Sequence, residues 1–324
     1  MHFNYELFLN YVIQGLANGA LIALIALGYT IVYGIVELIN FAHGDVFMMG
    51  AFFAFTFVSF VGVTSDDSML LIILTLLAGL LFAMAVGGTI NYTIDRVAYR
   101  RLRNAPRLAP LICAIGISFI LQQLAIYWRG AIPISPPPLI PLKYRTYNVL
   151  TEIFHLDTKV RLRVLDITVF AITIPLLLLL TWYIRSTRTG KAMRATAQDR
   201  QASALMGIDV NRTISMAFII GGLLAGAAGM IALYYNNIAR AQMGFKYGLF
   251  AFTAAVLGGI GNLAGAVVGG FLIGLIWSMS DGMAKEYIPA WGAQWTNSVI
   301  FGILVIIMVF KPSGLLGDHV PEKV

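Results

Sequence analysis

The chain has 324 residues, 59% hydrophobic and only 11% charged, with a formal net charge of +7. Soluble domains carry about a quarter charged residues, so composition excludes an ordinary water-soluble globule. A single cysteine, Cys113, excludes an intrachain disulfide, and the four histidines (His2, His43, His155, His319) stand too far apart for a metal-ligand spacing.

Eight apolar segments follow in order, at 8–34, 46–63, 69–92, 110–128, 166–184, 213–235, 249–279 and 295–310. Most reach or approach the roughly 20 residues that cross a bilayer as a helix. Backbone groups in lipid must be satisfied within the segment, so these runs predict helices. A barrel would show shorter, alternating segments. The first residues carry His2 and Glu6 but no Lys or Arg, and the run behind them is too long for a signal core, so it is expected to stay as the first span. That run stops at the polar and small residues 37–45 and resumes at Val46.

Between the third and fourth segments lie Arg96, Arg100, Arg101, Arg103 and Arg107; after the fifth lie Arg185, Arg188, Lys191, Arg194 and Arg200. Two spans separate these clusters, which puts them on one side, and the positive-inside rule makes that side cytoplasmic. The loop 129–165 is then expected outside, despite its own Arg129, Lys143, Arg145, Lys159, Arg161 and Arg163. Pro133, Pro136, Pro137, Pro138 and Pro141 keep its first half extended, and the alternation at 159–164 predicts a short strand in a small hairpin.

Glycines at 258, 259 and 261 cut the seventh segment. Uncut, it leaves eight passes and an outside tail; cut into two, it gives nine and places Lys311 and Lys323 on the cytoplasmic side. The charge pattern favours the cut. Small residues also recur every four positions: Gly15 and Gly19; Gly79, Ala83 and Gly87; Gly221, Ala225 and Gly229; Gly261, Gly265 and Gly269. This is the close-packing pattern of membrane helices.

No G-x-x-x-x-G-K-[ST] loop is present, so any ATP that drives this protein is bound by another subunit. No nucleophile–base grouping marks an enzyme, and ionisable residues inside the segments are scarce, with Glu37, Asp45 and Asp95 near segment ends. Residues 191–206 are good helix formers, Gly207 suits a C-terminal cap, and Asp209 suits the N-cap of the next span. This reads either as a solvated connector or as a short helix that couples the membrane domain to an ATPase. Asn40, His43 and Asp45 read either as lining of a translocation path at a helix break or as caps for freed backbone groups.

Four motifs carry a resemblance over essentially the whole chain: Ile39-Asn40-Phe41-Ala42-His43-Gly44-Asp45, ATAQDRQASALMGID at 195–209, AAVLGGIGNLAGAVVGG at 254–270, and Phe310-Lys311-Pro312-Ser313-Gly314-Leu315-Leu316-Gly317. The chain resembles the LivH-type permeases of branched-chain amino acid importers, of the ATP-binding cassette class. The resemblance implies an all-α polytopic fold of eight or nine transmembrane helices with broken or half helices, similar to type II importer permeases. Residues 1–324 then form one permease domain, with a cytoplasmic coupling segment at 185–212 and an extracytoplasmic loop at 129–165, in the bacterial inner membrane. The implied partners are a second permease, expected to be a distinct homologue, two cytoplasmic ATPase subunits holding ATP and magnesium, and an extracytoplasmic amino-acid-binding protein. No cofactor is expected on this chain, nor nucleic acid. In the coupling role Arg194, Gln198, Asp199 and Arg200 contact the ATPase, with Leu205 and Met206 as apolar anchors and Gly207 closing the helix. Gly44, Gly258, Gly259 and Gly261 join Asn40, His43 and Asp45 as the candidate path or helix breaks. Urea and short-amide permeases share these motifs and are the alternative cargo class; a secondary carrier or channel is a more distant one.

Overall fold

The computed structural model describes residues 4–103, 105–106, 108–139, 147–152, 159–288, 291 and 293–317. His2, Arg107, Pro141, Lys143, Arg145, His155, His319 and Lys323 lie outside them. The described residues are helical, with only two isolated antiparallel bridges, Ile134–Ala239 and Asn148–Arg163. The strand expected at 159–164 is therefore reduced to that second bridge. Val164 instead opens a helix, because the Asp166 carboxylate accepts the Arg163 backbone N–H at 2.9 Å and caps the turn.

The long helices are α1 (Tyr5–Val36), α2 (His43–Val61), α3 (Met69–Ile94), α4 (Leu108–Arg129), α5 (Val164–Ser186), α8 (Val210–Asn236), α9 (Met243–Gly258), α10 (Leu263–Ser278) and α11 (Ala293–Phe310). Two short ones, α6 (Arg188–Gln198) and α7 (Arg200–Leu205), join α5 to α8. Among the described residues, seven helices are long and apolar enough to span a bilayer, α3 and α10 among them with their extensions, and two shorter apolar helices run over Met243–Gly258 and Gln294–Phe310. The expected cut is present: α9 and α10 pack antiparallel, Gly258 against Gly265 and Gly269 against Ala254. Gly261 is not part of that packed row. It sits in the turn at φ +95°, with open space where a side chain would stand.

Contacts place the loops at two ends. The arginine end gathers the C-terminus of α1, α6, α7, the α9–α10 turn and residues 311–317: Arg200 donates to the Ile35 carbonyl at 3.0 Å, and Leu316 N–H to the Gly258 carbonyl at 3.0 Å. The far end gathers the start of α1 and, among the described residues between α4 and α5, Arg161, whose N–H donates to Asn10 at 2.6 Å. Residues 311–317 thus lie at the same end as α6 and α7, as the cut into two passes predicts.

An inverted repeat organises the bundle. α1 and α8 both end in a left-handed residue, Glu37 (φ 54°, ψ 23°) and Asn237 (φ 56°, ψ 22°). A short non-helical return follows each, then a fresh helix, α2 or α9. Each next helix ends in a π turn, Asp95–Tyr99 after α3 and Met279–Met283 after α10. The first set starts at the far end and the second at the arginine end. The packing obeys the same exchange: α1 lies on α10 as α3 lies on α8, and the two sets meet at Gly28–Gly221 and at Gly44–Gly248. A methyl group on Gly44 would stand 2.7 Å from the Gly248 Cα, so glycine is what permits this crossing.

Candidate functional site

The elbow between α5 and α8 is built from local rules. Thr187 caps α6 by accepting the Gly190 N–H at 3.0 Å. The continuous helix expected over 191–206 is instead two. Asp199 adopts extended backbone (φ −155°), ends α6, and caps α7 by accepting from the N–H groups of Gln201 and Ala202 at 2.8 and 2.9 Å. Asp outcompetes helical propensity here because its carboxylate satisfies two otherwise free donors. Gly207 follows at φ +82°, and Asp209 caps α8 by accepting the Arg212 N–H at 3.0 Å, both as the sequence predicts.

The elbow is tied to the membrane helices by its arginines. Arg194 donates to the Ile184 carbonyl at the end of α5, and Arg200 to Ile35 at the end of α1. Cations at helix C-termini satisfy free carbonyls and oppose the negative dipole end. Leu205 and Met206 stand out at the tip, 88% and 84% exposed. The residues assigned together by motif therefore divide: Arg194, Asp199 and Arg200 hold the elbow's shape, while Leu205, Met206 and Gly207 form its free surface. If the cap sets this shape, Asp199→Ala costs about 0.5–2 kcal/mol locally. Faster amide hydrogen exchange at residues 201–205, with α8 unaffected, is the expected readout.

Beside the elbow, a cavity of about 500 Å³ opens at the arginine end. Thr30 and Gly34 of α1, Arg194 and Gln198 of α6, Gly261 and Asn262 of the α9–α10 turn, and Gly317 line it. The turn is held by the tail. Leu315 N–H donates to the Leu257 carbonyl at 2.8 Å, and Asn262 donates to the Leu316 carbonyl at 2.7 Å. Gly259 is at φ +103°, and a methyl group there would meet the Gly317 nitrogen at 2.5 Å, so this strap needs glycine on both counts. Sequence reading missed Thr30, Gly34, Asn262 and Gly317. The last two lie within the motifs at 254–270 and 310–317 that carry the resemblance, but were not singled out.

The Asn40–Asp45 group lies deeper, buried against other helices and not on that cavity. Asn40 donates to Asn91 at 3.1 Å, Asn91 donates to the Phe218 carbonyl at 2.6 Å, and Tyr99 donates to the Ile39 carbonyl at 3.1 Å. The last of these satisfies a carbonyl freed between α1 and α2, and the other two tie that break to α3 and α8. His43 packs edge-on to Tyr29, ring centroids 4.8 Å apart, with neither ring nitrogen at hydrogen-bonding geometry to a described group. Asp45 accepts from Ser118, which holds α4 to α2.

The chain matches the family model described as branched-chain amino acid transport system / permease component over residues 11–309. It is 37% identical over 317 residues, 98% of both chains, to the high-affinity branched-chain amino acid transport system permease protein BraD of Pseudomonas aeruginosa. It is 34% identical over 318 residues, again 98% of both, to the LivH permease protein of the corresponding system in Escherichia coli. Over 40% of this chain and 39% of the relative it is 31% identical to the autoinducer 2 import system permease protein LsrC of an Enterobacter species. No solved structure matches it. With the elbow, the broken helices and the apolar bundle in one chain, these likenesses give a single conclusion: the protein is a multi-pass membrane protein that belongs to the branched-chain amino acid transport permease family.

Proposed function

We infer that this chain is the membrane-spanning subunit of an ATP-driven importer for branched-chain amino acids. The observation that carries the reading is identity of 34–37% across 98% of the chain to permeases named for that cargo. The arginine end is cytoplasmic, in keeping with its cation excess. There the exposed tip at Leu205–Gly207 docks into an ATPase subunit, and closure of the ATPase pair pushes the elbow. Arg194 and Arg200 pass that push to α5 and α1, which wall the cavity beside the α9–α10 turn. A second permease completes the path, and a binding protein delivers cargo at the far end. ATP and magnesium belong to the ATPase subunits. Alternating access follows from moving the elbow as a rigid body against the inverted repeat.

Reconstitution tests this reading. L-Leucine uptake into liposomes is expected only when the partner permease, the ATPases, the binding protein and ATP accompany this chain. Robust flux through this chain alone would replace the reading with a channel or carrier. Inhibition by urea but not by leucine or isoleucine would change the cargo class and keep the importer.

A further inference from the structure

Two helix ends of opposite polarity meet at the cavity beside the elbow. α10 begins there. Its N-cap, Asn262, accepts the Gly265 N–H at 3.0 Å with its side chain and the Ala266 N–H at 2.9 Å with its carbonyl. The N–H groups of Leu263 and Ala264 are left with no acceptor among the described residues, and both residues line the cavity. They form the positive end of a 16-residue helix.

α1 ends at the same place. The free carbonyls of its last turn belong to residues 33–36. Tyr33 accepts from the Glu37 N–H at 2.7 Å and Ile35 from Arg200 at 3.0 Å. Gly34 lines the cavity and keeps a carbonyl with no donor among the described residues. The two ends stand side by side, because a methyl group on Gly34 would lie 3.5 Å from the Gly261 Cα of the α9–α10 turn. Thr30, one helical turn earlier on α1, also borders the cavity. It is 1% exposed, and its hydroxyl has no hydrogen-bond partner among the described residues. A buried hydroxyl left alone costs about 1–3 kcal/mol, and helical threonine has two χ1 wells through which it can turn to a ligand.

The remaining walls sort by chemistry. Arg185, Arg194 and Gln198 are polar, Ile31, Ile184 and Met193 are apolar, and no Asp or Glu among the described residues lines the space. At about 500 Å³ it falls in the range of about 300–1,000 Å³ usual for small-molecule sites. A bare anion would use the N–H groups and the arginines, and would leave the Gly34 carbonyl and the apolar wall unmatched. An α-amino acid carries its carboxylate, its ammonium and its side chain on one carbon, and so matches all three at once. Broken membrane helices present their ends to charged substrate groups in this way.

We propose that this cavity is a release subsite for the zwitterionic head of an aliphatic α-amino acid. The carboxylate takes the Leu263 and Ala264 N–H groups and the Thr30 hydroxyl, the ammonium takes the Gly34 carbonyl, and the side chain lies on the apolar wall. The proposal deepens the importer reading and rests on it. Met193, Arg194 and Gln198 of α6 form one wall, so a moving elbow opens or closes the subsite.

The test uses the complete importer without its binding protein, in nanodiscs that expose both faces, titrated calorimetrically with L-leucine. Saturable binding is expected. Isocaproate lacks the ammonium and leucinamide lacks the carboxylate; each is expected to bind about tenfold or more weakly, having lost a charge-assisted contact. Thr30→Val is expected to weaken leucine binding about tenfold with the melting temperature unchanged or raised, since it removes an unpaired hydroxyl and no hydrogen bond. Gly34→Leu fits the backbone, places its side chain in the cavity and is expected to abolish binding, with co-purification of the partner subunits as the folding control. Absence of saturable binding overturns the proposal. So does isocaproate or leucinamide binding as tightly as leucine, and so does unchanged affinity in both variants. Uptake by the same importer with binding protein and ATP separates the two claims. Leucine uptake without binding in nanodiscs removes the subsite and keeps the importer reading. Uptake of an uncharged amide in place of leucine removes the cargo reading and the zwitterion subsite with it.

Discussion

Leu205→Asp with Met206→Asp is expected to abolish ATP-driven leucine uptake and co-purification of the ATPase subunits, while the permease itself stays folded. Both side chains are more than four-fifths exposed, on a short helix that Asp199 and Gly207 terminate independently of them. Surface changes of this kind alter stability by about 0.5 kcal/mol or less. Apolar anchors that fill a partner's groove carry about 2–4 kcal/mol each, which corresponds to roughly 30- to 1,000-fold in affinity. Burying a carboxylate in place of each adds an unpaired charge to that loss. The expected signature is therefore an unchanged melting temperature in detergent, no ATPase retained on the purified permease, and uptake at background. Wild-type uptake in the double variant would show that the tip docks to nothing.

A second large effect is expected at the opposite flank of the same end, and it is one of stability. Asp95 is fully buried at the π turn after α3. It accepts from Arg103 at 2.7 Å and from Ser215 of α8 at 2.5 Å, and Arg103 also donates to Asn211. The cluster fastens the link between α3 and α4 to the first turns of α8, next to the elbow. Removing one partner strands the other charge, so Arg103→Met is expected to destabilise by about 3–5 kcal/mol. Asp95→Asn should cost less, because the amide oxygen still accepts a hydrogen bond. The double variant should recover part of the Arg103→Met loss, since it leaves no uncompensated carboxylate. Thermal melting of the purified protein measures all three; additive losses in the double variant would show that the two side chains are not coupled.

The apolar segments were legible because run length and lack of charge are one-dimensional properties. The cut at 258–261 was legible because glycine relieves both left-handed backbone and close approach, and the charge pattern supported it. The break between α1 and α2 was visible as a polar interruption, and the caps at Gly207 and Asp209 follow from backbone chemistry within a few residues. Asp199 was harder. A helix-forming stretch contained a residue whose cap-forming carboxylate outweighed propensity, and the two tendencies oppose each other at one position. The alternation at 159–164 misled for a similar reason, since Asp166 nucleates a helix where a lone hairpin would have had no sheet to join.

The inverted repeat was not legible. Its two halves share backbone events, such as the left-handed ends at Glu37 and Asn237, while using different side chains to produce them. Nor does sequence distance show that Gly44 meets Gly248, that residues 311–317 strap the turn at Gly259, or that Lys246 lies over Trp277.

By itself, the sequence determined that the chain is a helical membrane protein, where most spans lie, and through its motifs which family it joins. Those features depend on transfer of apolar residues from water and on short-range backbone chemistry. The tertiary structure alone decided which arginines brace the elbow and which residues form its free tip. It also decided that the Asn40–Asp45 motif is packed inside the bundle. These depend on helix crossings between residues tens to hundreds of positions apart, where a glycine or a charge acquires its role from what lies opposite it.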